Sequence, residues 1–273
     1  IDLGYVKVTI DAPVESVKEM EDQLKQTFHL KEVFVSPNLV DDEEINLRDT
    51  CRALAGNLDK YIIDNTVVAV SWGNTLNCLA GQIQPLKAKD IKVVQLNGGV
   101  AKSASSTGAS QIVDALTMAG HGIGYMFPVP AIVDSKHTSE ILQEETQVKN
   151  VLRLAKEAEV SIFSIGALSK DSILYEVEYL KDEDFQALEK NKAVGDIASR
   201  YFDINGNIAL KELDDRVVGF GLEELREKEW TIAIAVGVNK VDAIIGALRA
   251  GFMNVLYTDE KTAREILNRN LLG

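Results

Sequence analysis

Short runs of β-branched and apolar residues alternate along this chain with stretches whose apolar positions recur every three or four residues. Asn65–Ser71 (NTVVAVS), Asp90–Leu96 (DIKVVQL), Val160–Ile165 (VSIFSI) and Thr231–Val236 (TIAIAV) predict buried strands, and Gly124–Val129 and Val217–Leu222 predict shorter ones. A helix from about Lys240, the strand Asn254–Tyr257 (NVLY) and a last helix from about Asp259 complete a β-α-β-α unit. Strands that are apolar throughout are buried on both faces. That pattern calls for an α/β fold, a mostly parallel sheet with helices on both faces.

The first sixty residues carry two helical patterns, Val14–Phe28 and Leu47–Ile62, with the strand Glu32–Val35 and an acidic turn, Asp41–Glu44, between them. Asp134–Lys149 is polar and helical, and suggests a surface excursion. No linker rich in proline, glycine or serine divides the chain, so residues 1–273 are expected to form one domain with a small subdomain. With 273 residues, 46% of them apolar, the chain can bury a large core. Its net charge of −13 repels DNA phosphates and argues against direct DNA binding. An anionic ligand must then be held by local groups, backbone N–H donors and a few placed cations. Cys51 and Cys78 stand in no metal-binding spacing and suggest reduced, buried thiols in a cytoplasmic protein. The three histidines are too scattered for a metal site, and no apolar stretch is long enough to span a membrane.

Ligands of parallel sheets bind beyond the carboxyl ends of the strands, so the turns after the strands are where function is expected. In Ser71-Trp72-Gly73-Asn74-Thr75 a strand ends, a glycine permits close backbone approach, and Asn74 and Thr75 open a helix. The free N–H groups there suit a phosphate, and the hydroxyls of Ser71 and Thr75 can add donors. The same residue types also serve as plain helix caps, and Trp72 either walls a pocket or simply packs. Asn97-Gly98-Gly99 closes the neighbouring strand, and the hydroxyl-rich stretch Lys102–Ser110 is placed to line the same cleft. His121 reads as a turn histidine. Asp196, beside Gly195 in what looks like a polar turn ahead of the hairpin signal Asn205-Gly206, suits sugar hydroxyls or a structural cap. Lys240 follows Gly237-Val238-Asn239 at a helix start, where the macrodipole disfavours a cation unless an anion is bound. Arg216 suits a structural ion pair. No dinucleotide- or NTP-binding glycine motif and no nucleophile elbow is present.

Taken together, VVAVSWGNTL (67–76), VVQLNGG (93–99), FPVPAIVDS (127–135), GDIASRYFDINGN (195–207) and AVGVNKVDAIIGALRAGFMNVLYTDEKTA (235–263) resemble the C-terminal sugar-binding domain of the SorC family of bacterial transcriptional regulators. The similarity runs from about Val35 to the C-terminus. It implies a Rossmann-like fold related to ribose-5-phosphate isomerase and glucosamine-6-phosphate deaminase. Also implied are a phosphorylated sugar as effector, a homodimer or homotetramer, no cofactor, and a helix-turn-helix DNA-binding domain upstream. The start at Ile1 rather than Met fits an effector domain that reaches operator DNA only through that domain. By resemblance Gly73, Asn74 and Thr75 hold the phosphate, Asn97 contacts ligand, Asp196 faces sugar hydroxyls, and Lys240 contacts phosphate or sugar. Some members carry GGTT where this chain has WGNT, and a basic residue near Asn97. Loss of that charge favours a monophosphate, and Asn97 excludes an imine at that position. The expected function is a metabolite sensor; the alternative is an isomerase- or deaminase-like enzyme on the same fold.

Overall fold

The computed structural model describes residues 14–100 and 109–271. The chain opens with α1 (Val14–Thr27), β1 (Glu32–Ser36), α2 (Glu43–Asn57), β2 (Val67–Val70), α3 (Asn74–Ala80), β3 (Lys92–Gln95), α4 (Ala109–Ala119) and β4 (Ile123–Tyr125). Then follow α5 (Lys136–Glu144), α6 (Thr146–Glu157), β5 (Val160–Ser164), β6 (Gly166–Ala167), α7 (Ile173–Glu176), α8 (Asp182–Lys190), β7 (Ala193–Ile197) and β8 (Arg200–Asp203). It ends with α9 (Lys211–Asp214), β9 (Trp230–Ile234), α10 (Val241–Arg249), β10 (Val255–Asp259) and α11 (Glu260–Leu271).

Seven strands form one sheet in the order β1-β10-β9-β5-β2-β3-β4, and every pairing in it is parallel. The apolar strand sequences require this burial. In β2, Val67 and Ala69 enter the core that α1, α6, α10 and α11 cover, while Val68 and Val70 enter the core under α2, α3 and α4. Fully burying a side chain such as Phe163 of β5 contributes ~1.5–3 kcal/mol. A second, antiparallel sheet, β6-β7-β8, carries a smaller core of its own with α7, α8 and α9, centred on Leu174, Phe185, Leu188 and Tyr201. It is joined to the main body where Phe202 meets Phe252 edge-on at 5.8 Å.

The strand order places the site. From β2 the chain steps outward to β3 and β4; it then returns to lay β5 on the other side of β2 and steps the opposite way to β9 and β10. The connections leaving the neighbours β2 and β5 therefore diverge, and a crevice opens beyond their carboxyl ends.

Four expectations from the sequence change. Helix α2 starts at Glu43 rather than Leu47, because Asp42 caps it by accepting the Ile45 N–H at 3.0 Å and the acidic residues form its first turn. The polar stretch 134–149 is not merely a surface excursion. Its second helix, α6, continues to Glu157 and buries Val148, Val151, Leu154 and Ala155 against the sheet. Residues 217–222 form no regular strand. They make only the bridges Ile132–Val217 and Asn97–Gly219, and the carbonyls of Gly219 and Phe220 accept from the guanidinium of Arg200 instead. Asp196 lies in strand β7 rather than in a turn. The β7–β8 hairpin reverses at Ala198-Ser199, two non-glycine residues at φ 50° and 69°, whereas Asn205-Gly206 makes the next reversal, which brings Phe202 opposite Ile208.

Arg216 makes the expected structural pair, with Asp184 at 2.9 Å, and His121 occupies a left-handed turn at φ 48°. No helix among the described residues is long and apolar enough to cross a membrane. At Gly98 a Cβ would come within 2.4 Å of the Pro130 carbonyl oxygen, whereas at Gly99 none of the described atoms lies within 4 Å. Gly98→Ala is expected to cost about 1–3 kcal/mol and Gly99→Ala to stay within about 0.5 kcal/mol, measured by urea denaturation.

Candidate functional site

A cavity of about 270 Å³ fills the crevice beyond β2 and β5. That lies near the lower end of the ~300–1,000 Å³ typical of ligand pockets, a size for a small metabolite. One wall is the turn after β2, Ser71 through Thr75. Gly73 adopts φ 131°, a conformation that L-residues with a Cβ rarely take, and from it the chain enters α3. Thr75 and Ser71 are buried, and the Ser71 hydroxyl accepts the Ser164 N–H at 3.4 Å, tying the ends of β2 and β5 together. Trp72 does line the cavity, with its indole N–H donating to the Gly98 carbonyl at 2.8 Å.

The second wall comes from the smaller sheet. Asp196 projects from β7 beside Gly166 of β6, where a Cβ would lie 2.3 Å from its carboxylate, so glycine is required for the approach. The Ser199 N–H donates to that carboxylate at 3.0 Å. Asn97, buried after β3, donates from Nδ2 to the Ser199 hydroxyl at 3.0 Å, and its Oδ1 has no partner among the described residues. The hairpin tip is thus pinned to the main sheet, which accounts for two strained left-handed residues at its turn.

Lys240 closes the floor, on the 3₁₀ turn Val238–Lys240 that precedes α10. Among the described residues no carboxylate comes within ion-pair distance of its ammonium. Burial lowers its pKa, against the pull of Glu43, Asp196 and Cys51. Burial likewise raises Asp196 to about 6, opposed by the Ser199 N–H and by the charge of Lys240. The two groups line one cavity, and burial opposes the charged form of each.

Of the residues singled out from the sequence, Ser71, Trp72, Gly73, Asn74, Thr75, Asn97, Asp196 and Lys240 meet at this cavity. Gly98 and Gly99 do not line it. Their backbones bond Val218, Val129 and Ala131, and Gly98 is packed against Pro130. Residues 102–108 of the hydroxyl-rich stretch lie outside the described residues. The sequence reading missed Ser169, Asp171 and Ser172, and also Ala198, Ser199 and Asn239. The run Ser169-Lys170-Asp171-Ser172 after a post-strand turn was a usable signal. Nothing local marks Ala198-Ser199, because neither residue type favours the left-handed turn it makes. Among the described residues no group of three or more His, Cys, Asp or Glu side chains can hold a metal ion.

Because Asp196 binds its proton more tightly in the folded chain, its ionisation opposes folding. The cost is absent below the unfolded pKa near 4 and complete above about 6. Asp196→Asn is therefore expected to be more stable than the parent at pH 8, with the gain shrinking through pH 6 and gone near pH 4. Denaturant midpoints across that range measure it, and a gain independent of pH would contradict it.

The family described as "Putative sugar-binding domain" matches residues 12–268, which carries the resemblance further toward the N-terminus than Val35. The deoxyribonucleoside regulator of Bacillus subtilis is 31% identical over 97% of this chain and 84% of its own length. The transcriptional regulator LsrR of Escherichia coli is also 31% identical, over 97% of this chain and 81% of its own. Among solved structures, a DeoR family transcriptional regulator from Listeria monocytogenes is 27% identical with a TM-score of 0.84, over 92% of this chain and 99% of that one. The full-length sorbitol operon regulator SorC from Klebsiella pneumoniae shares the fold, with a TM-score of 0.86 at 23% identity over 97% of this chain and 86% of that one. With its sheet order, its crevice and these relatives taken together, this chain belongs to the sugar-binding domain family of SorC-type transcriptional regulators.

Proposed function

We propose that the cavity binds a monophosphorylated sugar, and that occupancy sets the DNA affinity of a longer protein through a helix-turn-helix domain upstream. The observation that carries this reading is Lys240, a half-buried ammonium without an ion-pair partner among the described residues, which lines the same cavity as the turn Gly73–Thr75. A phosphate placed between them takes N–H and hydroxyl donors from one side and a charge from the other. It also relieves the cost of burying the lysine. Lys240 is the one cation among the described lining residues, which favours one phosphate over two. Asp196 and Asn97 then face the sugar, Asp196 as an acceptor for its hydroxyls.

Binding is transmitted because the two walls belong to different sheets. A ligand that prefers one mutual arrangement of the main sheet and the smaller one shifts their equilibrium, and that preference is the whole of the coupling. The full-length protein acts as a cytoplasmic homodimer or homotetramer, with operator DNA contacted only by the upstream domain. The regulator names of the relatives support a sensor over an isomerase or deaminase. Asp196 and Lys240 are nevertheless an acid and a base in one cavity, so the enzyme reading has a direct test.

Among a panel including ribose 5-phosphate and glucosamine 6-phosphate, at least one sugar phosphate should raise the melting temperature without being converted. Turnover of either would overturn the sensor reading. Lys240→Ala should weaken the responding ligand about 10- to 100-fold, the worth of a charge-assisted hydrogen bond at ~1.5–3 kcal/mol. Thr75→Val should weaken it less, and both should leave the ligand-free melting temperature near that of the parent. Titration calorimetry reads both variants, and unchanged affinity would remove these residues from the site.

A further inference from the structure

Helix α2 presents Glu44, Arg48 and Cys51 on one face, spaced four and three residues apart, and α3 presents Thr75 and Cys78, three apart. The two helices pack together under the same side of the sheet. The Cys51 thiol is fully buried between them and donates to the carbonyl of Thr75, one turn ahead of Cys78 on α3, at 3.7 Å. Cys78 is half-buried and therefore open to a small solute, whereas Cys51 is closed to solvent. We propose that Cys51 and Cys78 are a peroxide-responsive dithiol, with Cys78 as the attacking sulfur and Cys51 as the thiol that resolves it into an intramolecular disulfide.

The local electrostatics divide the roles in the same way. The neighbouring thiol of Cys51 and the nearby guanidinium of Arg48 bring Cys78 down to about 7, against burial and the carboxylate of Glu44. Cys51, buried and facing the sulfur of Cys78, is pushed well up. A thiolate is the reactive form, so Cys78 is the nucleophile at neutral pH. Its sulfur attacks one oxygen of the peroxide and the O–O bond breaks; the sulfur loses two electrons and becomes a sulfenic acid, and the other oxygen leaves as water after taking up a proton. The Cys51 sulfur then attacks the sulfenic sulfur. An S–S bond forms, the S–O bond breaks, and the hydroxyl departs as a second water with the proton Cys51 gives up. In sum, two thiols and one peroxide give one disulfide and two waters. The new bond replaces the Cys51 S–H contact to Thr75 and links α2 to α3, the helix that leaves the Gly73–Thr75 turn.

The test treats the native domain with hydrogen peroxide, blocks free thiols, and maps the digest by mass spectrometry without reduction. A Cys51–Cys78 cross-link within one chain, reversed by dithiothreitol and forming faster as pH rises through 7, is expected. Cys51→Ala should stop the reaction at a Cys78 sulfenic acid that dimedone traps, and Cys78→Ala should leave Cys51 unmodified. If the parent protein accumulates dimedone-labelled Cys78 without the link, links only between chains, or does not react, the proposal fails. None of these readouts depends on the sugar-phosphate reading of the cavity.

Discussion

Strands β2 and β5 pair with each other while the chain leaves them in opposite directions, and the rest of the molecule is arranged around that divergence. A parallel strand needs a long crossover, and crossovers leaving in opposite directions cannot fill the space between them. The turn after β2 and the segment after β5 are left facing one another across a gap. The segment after β5 becomes β6, the first strand of the smaller sheet, so the second wall is built by the chain's way out of the first. The cavity results from connectivity, not from missing packing, since the cores on both faces of the sheet are continuous beneath it.

Three hydrogen bonds hold the walls in register. Trp72 joins the β2 turn to the β3 turn, Asn97 joins the β3 turn to the tip of the β7–β8 hairpin, and Ser199 joins that tip to Asp196. Each links segments far apart in sequence, except the last, which fixes the carboxylate inside its own hairpin. This polar relay joins the two sheets at the cavity, beside the apolar contact that Ile197 and Phe202 of the smaller sheet make with the core under α10. The left-handed Ala198-Ser199 turn is part of the same device: its strain persists because Asn97 and Asp196 together over-determine it.

Electrostatics act locally in a chain with a net charge of −13. The surface field repels anions, yet the half-buried Lys240 lines the same cavity as the turn after β2, whose backbone opens α3. The same local control separates the two cysteines. The Cys51 thiol and the guanidinium of Arg48 bring Cys78 down, while Cys78 and burial push Cys51 up, although the two residues sit on helices packed against each other.

Much of this was legible without a structure. Continuous apolar runs such as VVAV and TIAI can be stable only between two helical layers, so the parallel α/β class follows from periodicity and the hydrophobic effect. The turn residues 71–75, together with Asn97 and Lys240, follow from the rule that ligands sit at carboxyl ends of strands, because each directly follows an unmistakable strand. Asp196 was found for its residue type and placed in the wrong element, since a two-residue reversal through alanine and serine has no local signature. Gly98 and Gly99 had the composition of a ligand loop, but only Pro130, distant in sequence, showed that Gly98 is glycine for packing. Strand propensity and apolar period are carried by neighbouring residues and can be read along the chain. Strand order, the crevice between β2 and β5 and the pairing of Asn97 with Ser199 depend on contacts between distant residues, as far apart as the 222 positions from Ser36 to Thr258, and only the folded chain decides those.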